Sequence, residues 1–347
     1  MGKGDGAGRL LAGRYQLVEK AGEGGMATVW RALTRGAAGF HRPVAIKRIK
    51  RGVASDPAFV RMFVEEARVG ADLDHPNVVQ IHDFGVDESE QHYLVMEWVE
   101  GVDLGRWSRS YVKAGWHAPW HLVAAMGIEA LQGLYAAHTR FDVYGRPAPT
   151  YHRDVAPGNV LLGSNGVVKL ADFGLARAMD RARVTQPDIL KGKLAYLAPE
   201  LIEDAPASPQ SDIFGLGVVL WEVFAGRKLF RARNDIETLE RVSKAEVPSL
   251  AALRPDLPPE LVAVVHRALA RHPDLRWDSA RQMARALAAI LRTVAEPTDG
   301  PVLGESVALA RKRLGLRPRN RAPEALRQST PPPPPPAPHA MTRAGRK

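Results

Sequence analysis

The chain has 347 residues, 45% of them hydrophobic, and a formal net charge of +10; that length accommodates one large domain or two of ordinary size. It contains no cysteine, which excludes disulfides, thiolate metal sites and a cysteine nucleophile. The most apolar stretch, residues 213–225, falls short of the roughly 18 residues that cross a bilayer and holds Glu222, so no membrane segment is expected.

In chain order, residues 1–14 are glycine-rich and lack the apolar centre of a signal peptide, so we expect a flexible N-terminus and a cytoplasmic location. Short apolar or alternating runs at 15–20, 28–33, 44–49, 78–84 and 92–98 predict strands. Between the first two lies Gly22-Glu23-Gly24-Gly25-Met26-Ala27-Thr28-Val29. Glycines there let the backbone approach a phosphate and donate N–H groups to it, although a plain hairpin turn explains the segment taken alone. Val44-Ala45-Ile46-Lys47 ends an apolar run in a lysine, either a point charge for phosphates or an ordinary solvated side chain. One helix interrupts the strands, with Asp56 as its cap, Pro57 at its first position, and Phe59, Met62, Phe63, Ala67 and Val69 near helical spacing.

After Gly101 the pattern turns helical, at 120–138, 211–225, 260–271 and 278–292, with Gly226 placed to end the second of these. That helix is apolar on nearly every face, which puts it at the centre of a second lobe. Residues 141–149, with Gly145, Pro147 and Pro149, read as a loop insertion. From about residue 295 the composition turns to Pro, Arg and Gly, with six consecutive prolines at 331–336, predicting a polyproline II or disordered tail and not a third domain. Ten basic and four acidic residues in 294–347 place most of the positive excess in that tail. No zinc-finger spacing or aromatic-basic repeat accompanies it, so no specific nucleic-acid partner is expected.

The chemistry concentrates in His152-Arg153-Asp154-Val155-Ala156-Pro157-Gly158-Asn159, Asp172-Phe173-Gly174 and Ala198-Pro199-Glu200. Phosphoryl transfer from ATP needs a carboxylate to orient the attacking hydroxyl, metal ligands to bridge the phosphates and a cation on the nucleotide; these segments, with Lys47, supply all three in order. Over residues 15–292 the chain resembles the eukaryotic-like protein kinase family, particularly its bacterial serine/threonine members. The resemblance implies an α+β bilobal protein kinase fold, with a strand-rich N-lobe (about 15–98) holding one main helix and a mostly helical C-lobe (about 99–293), followed by a tail at 294–347.

It also implies roles. Lys47 contacts the α- and β-phosphates of ATP and pairs with Glu66; Asp154 is the catalytic carboxylate; Asn159 and Asp172 hold Mg2+. The loop Ala21, Gly22, Glu23, Gly24, Gly25, Met26, Ala27, Thr28 and Val29 covers the nucleotide, with Ala45 above the adenine and Leu161 below. Met96 is similar to the gatekeeper residue, Glu97 to Val99 to the hinge whose backbone binds adenine, and Asp103 to the ribose contact. Asp212 resembles the family's brace of the catalytic loop, and Glu200 pairs with Arg276. For Asp103 and Arg276 an ordinary surface charge remains the alternative.

The sequence departs from the family's pattern at Ala27, where a third glycine is usual, at Ala156, where serine/threonine members carry lysine, and at Lys193, where threonine is usual. We expect Lys193 to supply the cation missing at Ala156, a solvated lysine being the alternative. Thr185, among Arg177, Arg181, Arg183 and Lys191, is the expected autophosphorylation site, since a phosphate adds about −1.5 to −2 charges that these cations can pair. The expected activity is ATP-dependent transfer to serine or threonine of protein substrates, the alternative being a pseudokinase scaffold that binds partners through its polyproline segment. Tyrosine specificity is a further alternative, raised by Ala156. Gly70, one turn beyond Glu66, leaves two readings open: a loosely held helix, or avoidance of a clash.

Overall fold

In the computed structural model, which describes residues 6–173 and 194–316, the first lobe is a six-stranded antiparallel sheet. Its strands are β1 (Leu10–Leu11), β2 (Tyr15–Glu23), β3 (Ala27–Arg35), β4 (His41–Ile49), β5 (Ile81–Val86) and β6 (His92–Glu97), in spatial order β1-β2-β3-β4-β6-β5. Alternation along β4 decides what each face does. Val44 and Ile46 bury with Leu17, Trp30 and Val95 on one side, while Ala45 and Ile49 bury with Phe63, Leu94 and Met96 on the other. Lys47 shares the parity of Ala45 and Ile49, so the pleat carries it to the face covered by α2 (Pro57–Ala71), which follows the single turn α1 (Arg51–Ala54). Asp56 caps α2 by accepting the Ala58 N–H, with Pro57 in its first turn.

Two expectations change here, and one open reading is decided. The strand expected at 78–84 begins only at Ile81, because Val78 and Val79 spend their pairing on Leu170 of the other lobe, where the Val79 N–H donates to the Leu170 carbonyl at 2.8 Å. The N-terminus is not a loose 1–14 segment: Leu10 and Leu11 pair with Gln16 and Tyr15, Leu11 is fully buried, and Arg9 reaches Asp87 at 3.0 Å. Two leucines suffice because one fills the sheet's outer core while the arginine meets a buried carboxylate that also holds Arg48. For Gly70, space decides between the two readings: a Cβ there would lie 2.1 Å from Ile81 Cδ1, so the glycine lets α2 lie close against β5.

The second lobe starts with β7 (Gly101–Asp103), α3 (Leu104–Lys113) and α4 (Trp120–His138), then β8 (Val160–Gly163) and β9 (Val168–Leu170), which pair in the order β7-β8-β9. After them come α5 (Pro199–Ile202), α6 (Pro209–Ala225), α7 (Asp235–Lys244), α8 (Leu250–Leu253), α9 (Pro259–Ala268) and α10 (Ala280–Leu291). As its all-round apolarity predicts, α6 is buried along nearly its whole length. A capping box between Ser208 and Ser211 starts it, and Gly226, at φ 67°, ends it in the left-handed region. The insertion at 141–149 is a turn closed on the Asp142 carboxylate, which accepts the N–H groups of Tyr144 and Arg146 at 2.9 Å each.

The expectation of a disordered tail from residue 294 is overturned for its first part, while residues 317–347, with the proline run, lie outside the described residues. Residues 300–313 form α11 (Gly300–Arg313), capped by Asp299. Leu303, Val307 and Ala310 are buried against the second lobe, Ser306 Oγ accepts the Trp107 indole N–H at 3.2 Å, and Arg311 meets Glu100 at 2.7 Å. The backbones touch: a Cβ on Gly304 would lie 2.6 Å from the Ser164 carbonyl, and one on Gly166 (φ +84°) would lie 1.9 Å from that of Gly300. Its apolar stripe is thin and set in a basic, proline-bearing stretch, which is why composition alone read as tail. Val307→Asp should therefore destabilise the protein by about 2–4 kcal/mol, as expected for a charge forced into a core; an unchanged urea midpoint would refute the docking of α11.

Candidate active site

A cleft of about 250 Å³ opens between the lobes. Ala21, Gly22, Val29 and Ala45 come to it from the sheet, Met96 and Glu97 from the end of β6, Val99 from the connection after it, and Asp103, Asn159, Leu161 and Asp172 from the second lobe. Among the described residues the Val99 N–H makes no hydrogen bond, which leaves a main-chain donor at the edge of the slot between Ala45 and Leu161. Asp103 accepts the Arg106 N–H at 2.8 Å as the cap of α3, and burial raises its carboxyl above the usual range.

Behind the slot lies a charged cluster drawn from three elements. Lys47 Nζ sits 2.7 Å from Glu66 on α2 and 2.8 Å from Asp172 after β9. Burial alone would push the lysine towards neutrality, but the Asp172 and Glu66 carboxylates outweigh it and hold the ammonium charged. Asn159 donates its amide to Asp154, at 2.8 Å to the main-chain carbonyl and 3.0 Å to Oδ2, which fixes the carboxylate. Its own carbonyl oxygen is thereby turned from Asp154, and its main-chain carbonyl accepts the Ala171 N–H at 2.9 Å, so Asn159 and Asp172 stand on adjacent backbones.

The loop that carries Asp154 is held from below. Asp212, fully buried near the start of α6, accepts the N–H groups of His152 and Arg153 at 2.8 and 2.7 Å and pairs with His138 Nε2 at 2.8 Å. Arg153 lies at φ 62° and Asp172 at φ 65°, left-handed conformations that cost a side-chain-bearing residue about 1–2 kcal/mol each. Each stands beside an anchor: Arg153 is held by Asp212, while Phe173 is buried against the His152 ring, 4.5 Å between centroids. Glu200 and Arg276 form the expected pair, doubly bonded at 2.8 and 2.7 Å, and Arg276 is buried; neither it nor Asp103 is a plain surface charge.

The glycine-rich segment divides. Gly24, Gly25, Met26 and Ala27, with Lys47, line a second recess of about 120 Å³ that also meets Phe59, Met62 and Phe63 of α2. Glu23 turns instead to Lys20 and Lys50, and these ion pairs hold its carboxyl down at about 2. Thr28 pairs across the hairpin with Glu23 and Arg48. Of the residues lining the cleft, the sequence reading missed Val79, Gly101, Val102, Arg106 and Ala171, and it missed His138, whose imidazole meets Asp212. The spacing of Arg106, three residues after the Asp103 cap, was the one available signal. Gly174, Thr185 and Lys193 lie outside the described residues.

The two oxygen donors fit a hard divalent cation. One carboxylate, Asp172, and one amide oxygen, Asn159, make a sparse set of the kind magnesium uses when phosphates and water complete its shell.

The model of the protein kinase domain family matches residues 15–287. The tyrosine-protein kinase MasK of Myxococcus xanthus is 39% identical over 279 residues, covering 80% of this chain and 43% of that protein. The serine/threonine-protein kinase PknA of Mycobacterium tuberculosis is 35% identical over 309 residues, covering 87% of this chain and 68% of the relative. Against the crystal structure of the Mycobacterium tuberculosis PknI kinase domain the TM-score is 0.61 at 30% identity, over 83% of this chain and 99% of that one. The chain thus spans less than half the length of MasK.

Asp212 makes a pH-dependent prediction. Burial opposes its ionisation, but the bond from His138, the charges of His138 and His152 and the Arg153 N–H outweigh it and lower the carboxyl pKa. A folded value below the unfolded one, about 3.9, contributes stability above that pH that is lost as pH falls through the folded value. Asp212→Asn should cost about 2–4 kcal/mol at pH 7, the range for a broken buried network. Its deficit against wild type should narrow below about pH 4 in urea titrations; a deficit independent of pH would refute the ionised brace.

Proposed function

The chain belongs to the protein kinase domain family, and from that premise we propose that it transfers the γ-phosphoryl group of ATP to serine and threonine hydroxyls of proteins. The observation that carries the reading is the joint placement of Lys47, Glu66 and Asp172 within ion-pair distance, at the back of a cleft that also presents Asn159. Phosphoryl transfer asks little covalent chemistry of a protein and much positioning and charge. In this reading the adenine lies between Ala45 and Leu161 with its edge at the Val99 backbone, and Asp103 meets the ribose. Backbone N–H groups of residues 22–27 lie over the phosphates, and Lys47, oriented by Glu66, meets the α- and β-phosphates. Asn159 and Asp172 would hold Mg2+, which would offset the negative charge of the phosphates. Asp154 accepts the proton of the acceptor hydroxyl as its oxygen bonds to the γ-phosphorus and ADP departs with the bridging oxygen.

Ala156 favours a second reading, tyrosine as acceptor, since the lysine typical of serine/threonine members is absent and one relative is named a tyrosine kinase. Thr185 remains the proposed autophosphorylation site, with Lys193 as the compensating cation near Asp154. The proline run at 331–336 supports a polyproline-binding partner, and the cysteine-free composition supports a cytoplasmic location.

The test is incubation of the wild type and Asp154→Ala with γ-labelled ATP, Mg2+ and a protein acceptor, followed by phosphosite mapping. We expect label on serine or threonine of the acceptor and on Thr185, reduced about 100-fold or more in the variant. Label confined to tyrosine would move the assignment to the second reading, and wild type no better than the variant would refute the assignment of Asp154. Lys47→Met should lower kcat/KM by a similar factor, since its charge would be removed from a preorganised site; full activity in that variant would overturn the role given to the ion pair.

A further inference from the structure

We infer that a cleft between α3 and the end of α6 is a subsite for an acidic segment of the protein substrate, an inference that rests on the phosphotransferase reading. The cleft, about 190 Å³, adjoins the catalytic loop through Pro157, three residues beyond Asp154. A Cβ on Gly105 of α3 would lie 3.3 Å from that proline's Cβ, so the wall and the loop are in contact.

Among the described residues the charged lining consists of Arg109, Arg227, Lys228 and one carboxylate, Glu222. The three cations are exposed. Glu222 is 5% exposed and its oxygens are already engaged. Oε2 takes Lys228 Nζ and the Tyr196 hydroxyl, both at 2.8 Å, and Oε1 takes the Leu229 N–H at 3.1 Å. Lys228 also bonds the Tyr196 hydroxyl, and Tyr196 stands at the catalytic loop, since its carbonyl and Val155 Cβ both lie within 3.3 Å of a Cβ built on Gly215. The neighbouring acid, Asp103, faces Arg106 at 3.3 Å as well as capping α3.

Because Lys228 neutralises Glu222, the charges left over in the cleft are those of Arg109 and Arg227. A bare Glu222 at that place would attract a basic side chain from the substrate. Seated on the carboxylate, Lys228 cancels that attraction while keeping half of its own side chain exposed (52%), and Arg109 and Arg227 add uncompensated charge on either wall. Interfaces select partners of complementary potential and reject like charge, so aspartate or glutamate near the acceptor hydroxyl is the side chain this wall takes.

The experiment measures kcat/KM, and in parallel equilibrium binding, for peptides that share one acceptor and carry Glu, Gln or Arg at each flanking position in turn. We expect a flanking position at which Glu exceeds Gln by roughly 3- to 10-fold, the size of one or two partly exposed charge pairs, with the gain in KM and in binding and little change in kcat. Lys228→Met should reduce that preference and narrow the gap between the Glu and Arg peptides, because Glu222 is then uncovered while Arg109 and Arg227 remain. Arg109→Gln with Arg227→Gln, which leave the Glu222 cluster intact, should reduce the preference without reversing it. Equal kcat/KM and binding for the Glu, Gln and Arg peptides at every position would overturn the proposal, as would an acid preference that Lys228→Met leaves undiminished. Selective binding of the acidic peptide without phosphoryl transfer would uphold the subsite and overturn the catalytic reading instead.

Discussion

The carboxylate of Asp212 carries the geometry of the reacting end of the cleft. It is buried near the start of a helix that is itself buried on nearly every side, so it has no solvent to fall back on, and leaving it unpaired would be costly. Two consecutive main-chain N–H groups and one imidazole satisfy it. In return they fix Arg153 in a left-handed conformation that it would not adopt alone. Asp154, the next residue, inherits its direction from that kink, and Asn159 locks it there. The strain is local and the restraint is global, since the central helix of the second lobe holds the loop.

Lys47 plays the corresponding part between the lobes. Strand parity brings it to the α2 face, and Glu66 and Asp172 meet it from a helix of the first lobe and a loop of the second. A buried cation between two carboxylates ties the helix position to that of the loop, so the cluster reads whether the two lobes are in register. Gly70 contributes by letting α2 approach β5, and Val79 contributes by bonding to Leu170 across the lobe boundary.

Charge in the second lobe follows the same logic at the surface. Arg311 of α11 bonds Glu100 and the Gly101 carbonyl just beyond the connection that lines the nucleotide cleft. The C-terminal helix thus grips the segment from which adenine recognition is proposed. Lys228 in turn covers Glu222 beside the catalytic loop. In both places one long cationic side chain converts a carboxylate from an exposed charge into a fixed one.

Much of this was legible in the residues themselves. Asp56-Pro57, Gly226 and the period-two runs announce their elements because caps, left-handed turns and pleats are local, and the three short motifs name the chemistry because its groups sit close together in the chain. The meeting of His138 with Asp212, the docking of α11, the strap at Leu10 and Leu11, and the turning of Glu23 towards Lys20 and Lys50 were decided only by tertiary structure. Periodicity states that a face is apolar or that a side chain is charged. It does not say which distant surface will cover that face or which counter-charge will arrive, because burial and ion pairing depend on distances between segments far apart in sequence. Lys228 and Tyr196, 32 residues apart, meet on Glu222 for that reason, and only the folded chain brings them together.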